Sequence, residues 1–142
     1  MQVDQLPGTA APGPEDIAAV TEIPQRIMAA WAAQDGVQFA DVFTESGIMV
    51  LPGQCVKGRG EIARFMSGAF QGPYRGTQVT GTPFNIAVLS DTVMVVHTLG
   101  GVLGHGESEV SDARAVRAIW TVVKADGTWQ LAHYQNTPRD TP

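Results

Sequence analysis

After Arg75 the three- and four-residue spacing of apolar side chains does not return, and the rest of the chain runs at strand spacing. This constrains the fold more than any other feature. Four long strands are predicted, Gly76 to Leu89, Thr92 to Leu103, Ala113 to Ala125 and Trp129 to Thr137. A tight turn at Ser90-Asp91, a polar loop from Gly104 to Asp112 and the hairpin signal Asp126-Gly127 join them as an antiparallel meander. Val93, Val95 and Leu99 have one parity, while Met94 and Val96 have the other; Trp120 and Val122 likewise oppose Ile119 and Val123. A sheet with one wet face should alternate apolar and polar residues. Its outer face is therefore expected to meet something apolar, first of all a second copy of the chain, giving a homodimer.

Helices come before this sheet. Residues 1 to 13, rich in Pro, Gly, Ala and Thr, are expected to form a flexible arm ahead of one domain spanning 14 to 138, with a tail at 139 to 142. Pro14 suits a first helical position, and Glu15 and Asp16 complement the helix dipole. Ile17, Val20, Pro24, Ile27 and Trp31 then make an apolar stripe on a helix that Pro24 should kink or split and that ends near Gln34-Asp35-Gly36. Val37, Phe39, Ala40 and Phe43 suggest a second, shorter helix. Ile48 to Leu51 and Gln54 to Lys57 form a hairpin across Pro52-Gly53, and Gly58-Arg59-Gly60-Glu61 opens a third helix carrying Ile62, Phe65, Met66 and Phe70. Helices first and a meander afterwards imply an α+β domain, with the helices on one face of a curved sheet.

Composition narrows the partners. The chain has 142 residues with a net charge of −5 and 16% charged residues, against roughly a quarter in an ordinary soluble domain. The acidic balance disfavours nucleic acid, no run is long enough to span a membrane, and MQVDQLPGTAAPGPED has neither a basic start nor an apolar stretch. A cytoplasmic protein is the expectation. Cys55 is the single cysteine and is expected to be a small buried hydrophobe in a short strand.

Three stretches carry a family resemblance: Ala29-Ala30-Trp31-Ala32-Ala33-Gln34-Asp35, Gly58-Arg59-Gly60-Glu61-Ile62, and the final strand from Asp126-Gly127-Thr128-Trp129 to Asn136-Thr137-Pro138. Together with the element order, they make residues 15 to 138 resemble the nuclear transport factor 2-like superfamily, in its SnoaL-like SgcJ/EcaC branch. The first two stretches are most similar to SgcJ proteins encoded among enediyne polyketide biosynthetic genes. The resemblance implies a cone-shaped fold, a curved antiparallel sheet with three helices from the N-terminal half on its concave face. It also implies a pocket for a hydrophobic polyene or polyketide intermediate, with cofactor-independent cyclisation or isomerisation, or a non-catalytic module that assists a polyketide synthase. Fold alone does not choose between these.

The chemistry-bearing residues are few. No phosphate loop, nucleophile elbow, zinc helix or complete dinucleotide fingerprint is present, so no cofactor is expected. His105, Glu107, Glu109 and Asp112 share a polar loop that reads as a solvated hairpin tip rather than a metal site. The strand interiors between Gly76 and Thr137 contain no carboxylate, which disfavours chemistry built on an aspartate inside the cone. Acid/base work would then fall to His97 or His133, although a lone strand histidine such as His133 is more often a hydrogen-bonded structural residue. Alternation sets Trp129, Leu131, His133 and Gln135 against Gln130, Ala132, Tyr134 and Asn136. In similar proteins the Trp and aliphatic positions face the helices, so the resemblance assigns the His133 and Gln135 side to the cavity. The inward parity of Ala113 to Ala125 stays open. Gln135, Asn136 and Arg117 are candidates for orienting a ligand, and Trp31, Phe43, Phe65, Tyr74 and Trp120 for the cavity wall, though most such aromatics are simply core.

Overall fold

The computed structural model describes residues 1–139; the tail expected at 139–142 lies outside them except for Arg139. Helix α1 spans Pro14–Ala32, with Pro14 at its start and Glu15 and Asp16 in its first turn. Pro24 lies inside α1 without splitting it, and its buried ring packs with Val20, Ile23 and Ile27 on the apolar stripe. Asp35 begins α2, Gly36–Ala40, by accepting a hydrogen bond from Gln38 N at 3.0 Å. Strands β2, Phe43–Leu51, and β3, Gln54–Lys57, form the expected hairpin, with β2 five residues longer at its start than its apolar run. Helix α3 covers Arg59–Gln71, and Arg59 donates to the Phe43 carbonyl at 2.6 and 3.0 Å, tying α3 to β2.

The meander follows as β4, Gln78–Ser90, β5, Val93–Leu103, β6, Ala115–Ala125, and β7, Thr128–Pro138, with a 3₁₀ turn at Asp112–Arg114 before β6. These four strands pair antiparallel in sequence order. Two further pairings were not legible in the sequence. Strand β2 joins β7 in parallel, and Gln2–Gln5, expected to lie in a flexible arm, forms β1, parallel to β4 with Gln2 opposite Asn85. The seven strands make one sheet, ordered β1-β4-β5-β6-β7-β2-β3. Cys55 is exposed on β3, which corrects the expectation of a buried thiol: β3 is an edge strand of the sheet, and its neighbour Val56 takes the inward position.

The core lies between the helices and one sheet face. Val20, Ile23, Phe43, Met49, Ile62, Met66, Ile86, Met94, Val96, Val122 and Leu131 are essentially without solvent. The opposite face keeps large apolar groups in water, with Phe84 47%, Leu99 42% and Ile119 45% exposed.

Candidate functional site

Between the helices and the sheet the core is not filled. A cavity of about 230 Å³ runs past Ile27, Met28 and Trp31 of α1, Phe39 of α2, and the sheet residues Thr98, Ala118, Trp120, Leu131, Tyr134 and Asn136. Its size is near the small end of ligand pockets, which run from roughly 300 Å³. Pro52 and Arg114 join the lining, and both are exposed, so the cavity reaches the surface there. Backbone geometry shapes this end. A side chain on Gly100 would place its first carbon 1.9 Å from the Thr80 carbonyl oxygen, so β4 and β5 approach there only because Gly100 has none.

Aromatic rings make the apolar wall. Trp31 lies 4.7 Å from Tyr74 and 6.2 Å from Phe39 between ring centroids, and its indole N–H donates to Thr77 Oγ1 at 3.0 Å. Gln34 fixes this corner by donating to the carbonyls of Trp31 and Thr77 and accepting from Gly76 N. On the sheet side, Trp120 meets Tyr134 edge-on at 4.7 Å and donates to the buried Thr98 hydroxyl at 2.9 Å. Asn136 Nδ2 donates to Tyr134 Oη at 3.0 Å. Burial pushes the Tyr134 phenol up to about 12, so it remains a neutral hydroxyl at physiological pH.

The register of β6 and β7 decides which residues reach this space. Strand β6 turns Ala118, Trp120 and Val122 inward and Arg117, Ile119 and Thr121 outward, which settles the parity that the sequence left open. Along β7, Trp129 and Leu131 face the helices as expected. The assignment then fails. Thr121 pairs with His133 while Val122 pairs with Leu131, so Ala132 is an extra residue, a β-bulge. One extra residue reverses the alternation. Past the bulge Tyr134 and Asn136 face the cavity, and His133 and Gln135 are exposed on the outer face.

Of the expected wall, Trp31, Phe43, Tyr74 and Trp120 line the cavity, whereas Phe65 lies in a surface groove with Cys55, Lys57 and Arg64. Phe65 is three residues from the buried Ile62 but only one from the buried Met66, and Met66 takes the cavity-facing position on α3. Asn136 lines the cavity as expected of a ligand-orienting residue. His97 is outward and half-buried, with Nδ1 3.3 Å from Asn85 Nδ2 and its ring 6.0 Å from Phe84. Arg117 is also outward and donates to the Arg139 carbonyl at 2.8 Å. The two histidines, Gln135 and Arg117 thus share the outer face and do not reach the cavity. Among the described residues that line the cavity there is no aspartate, glutamate or histidine.

Sequence reasoning missed Tyr134, Thr98 and Arg114. Tyr134 was visible as an aromatic residue but stood on the wrong parity, and Thr98 lacked any marker apart from its place within an apolar strand. Arg114 ends the 3₁₀ turn that follows the polar loop, and its guanidinium meets Glu107 and, at 3.3 Å, Ser111. Glu107 also accepts from Gly104 N at 2.6 Å, and these donors hold its carboxyl below the usual range. Among the described residues no three His, Cys, Asp or Glu side chains stand together as metal ligands.

Comparison with known proteins agrees with this architecture. Residues 14–135 match the SnoaL-like domain. A domain of unknown function with a cystatin-like fold from Nostoc punctiforme superposes with a TM-score of 0.84 at 27% identity, covering 91% of this chain and 80% of its own. An NTF2-like protein from Novosphingobium aromaticivorans gives 0.78 at 19% identity, covering 90% and 84%, and Aln2 from a Streptomyces species gives 0.74 at 19%, covering 91% and 94%. No curated protein matches significantly. No helix among the described residues is long and apolar enough to cross a membrane. The curved sheet, the three helices on its concave face and the family match agree: the chain belongs to the SnoaL-like domain family, with the NTF2-like, cystatin-like α+β fold.

Proposed function

We propose that the cone binds a hydrophobic small molecule, a polyene or polyketide intermediate of natural-product biosynthesis, and holds it away from water. The observation that carries this reading is the cavity itself, an unfilled space walled by Trp31, Phe39, Phe43, Tyr74 and Trp120 with a few polar groups on one side. An empty apolar space inside a small domain costs stability. A ligand that fills it offsets that cost. The resemblance of the first-helix and Gly-Arg-Gly-Glu-Ile stretches to SgcJ proteins supports an enediyne setting.

A lining whose described residues include no carboxylate or imidazole favours binding and shaping over acid/base turnover. Any cyclisation or isomerisation would rely on confinement of a reactive chain, with Tyr134 as a neutral hydrogen-bond donor. His97 and His133, on the outer face, take no part in it. The outer face, where Phe84, Leu99 and Ile119 are exposed, is proposed to pair with a second copy. Of the outward residues His97, Leu99, Arg117, Ile119, Thr121, His133 and Gln135, Arg117 is the one basic or acidic chain apart from the histidines, so two such faces meet with little like-charge repulsion. A polyketide synthase is the proposed assembly partner.

Native mass spectrometry of the protein purified from its producing host tests this directly. Two chains of 15.1 kDa carrying a co-purified apolar molecule are expected. A protein that arrives empty and binds no polyene or polyketide probe refutes the binding reading, and a 15.1 kDa particle in light scattering at micromolar concentration refutes the dimer.

A further inference from the structure

One buried atom in the cavity wall lacks a partner. Asn136 Oδ1 is shielded from solvent and accepts no hydrogen bond from the described residues, while Asn136 Nδ2 donates to Tyr134 Oη at 3.0 Å. An acceptor left this way is costly and uncommon in folded proteins. The strand register explains why nothing local satisfies it. Asn136 stands opposite Ala118, and Ala118 opposite Thr98, so the amide's neighbour across the sheet is a methyl group. The next hydroxyl along this row, that of Thr98, lies one strand further away, beyond Ala118, and its oxygen receives the Trp120 indole N–H at 2.9 Å.

Tyr134 complements this orphan. Its oxygen takes the Asn136 donor, which leaves the phenolic proton available to the cavity, and burial keeps that proton in place. The pair therefore offers a ligand one donor and one acceptor. Turning the amide over exchanges the atoms and preserves the sum, because Tyr134 would then donate to the amide oxygen and the amide N–H would face the cavity. The two free positions belong to groups already in hydrogen-bond contact, so they are close together.

Resting on the small-molecule reading above, we propose that Tyr134 and Asn136 are a specificity pair that selects ligands carrying a hydroxyl and a carbonyl on neighbouring or next-but-one carbons, such as a hydroxyketone or its enol. The apolar wall binds the hydrocarbon frame. The pair reads its oxygenation. A hydrocarbon of the same shape leaves Asn136 Oδ1 unsatisfied, whereas a hydroxyketone donates to it and accepts from Tyr134.

Calorimetry with tetralin, 1-tetralone and 2-hydroxy-1-tetralone tests the pair on the full chain and on the double variant Tyr134→Phe/Asn136→Leu. The quantity read is the ratio of the tetralin Kd to the hydroxyketone Kd. It is expected to fall by about tenfold or more in the double variant, as loss of one to two hydrogen bonds requires, with tetralin still bound. A ratio that changes less than about twofold overturns the pair and leaves the cavity reading standing. Failure of the unmodified protein to bind any of the three overturns both. If the double variant does not fold, Tyr134→Phe alone must lower the ratio, and an unchanged ratio overturns the proposal.

Discussion

The two faces of β5, β6 and β7 both carry large apolar side chains, and they differ in what covers them. Inward, Val96, Thr98, Ala118, Trp120, Val122 and Leu131 lie beneath helices that exclude water, and the space left over is the cavity. Outward, Leu99 and Ile119 stand beside His97, Thr121, His133 and Gln135 with no second layer from the described residues of this chain. Similar side chains therefore do different work. Under the helices a tryptophan wall stabilises the domain and bounds a site; on the open face an isoleucine contributes little unless another molecule covers it.

Adjacent residues on β6 give the largest expected contrast. Trp120→Ala should lower stability by about 3–5 kcal/mol in chemical denaturation, through lost burial and the Thr98 hydroxyl left without its indole donor. Ile119→Ala should move it by no more than about 0.5 kcal/mol in the monomer. Equal effects would mean that the two faces are not distinguished by burial. Gly100→Ala follows, at about 1–3 kcal/mol, because the Thr80 carbonyl that the new carbon meets is backbone and cannot rotate away.

Alkaline titration tests the burial of Tyr134. The Tyr134 phenol is raised to about 12 from the ordinary 10.0, so the unfolded chain loses this proton first. Its contribution to stability is complete below pH 10.0 and is lost as pH rises toward about 12. Tyr134→Phe should remove that slope, and an unchanged slope would show that Tyr134 is not buried in solution. At the acid end the sign reverses. Asp16 accepts from the Trp129 indole at 2.9 Å and from Lys124 Nζ at 3.3 Å, and these contacts hold its carboxyl below 3.8. The stability it lends is present above 3.8 and is lost as pH falls below that value, so Asp16→Asn should flatten the acid limb of a pH–melting curve.

The smallest effect is expected from the histidines. His97→Ala and His133→Ala should leave ligand affinity within about twofold of the parent, since neither ring lines the cavity. A loss of binding in either would mean that the outer face communicates with the cavity. In the same proteins, Ile119→Glu should convert a dimer to monomers in light scattering if the open face is where copies meet.

Local patterns were enough to locate most of the fold. Pro14 with Glu15 and Asp16 starts α1, Asp126-Gly127 turns the last hairpin with Asp126 at φ 52° and Gly127 at φ 76°, and apolar runs delimit β4 to β7 within about two residues. The lack of carboxylates in the long strands was likewise legible, and none of the described residues that line the cavity carries one. Such signals are short-range: each depends on spacing, turn chemistry or residue type within one segment.

Tertiary structure decided the rest. The parallel pairings of β1 with β4 and β2 with β7 join segments far apart in the chain, and no local pattern encodes which edge a strand will meet. The face each β7 residue presents depends on its register with β6. There the single extra residue Ala132 turned His133 and Gln135 outward and brought Tyr134 and Asn136 into the cavity. Alternation along one strand specifies two sets of side chains. Only the partner strand and the helices packed above determine which set meets the ligand and which meets water.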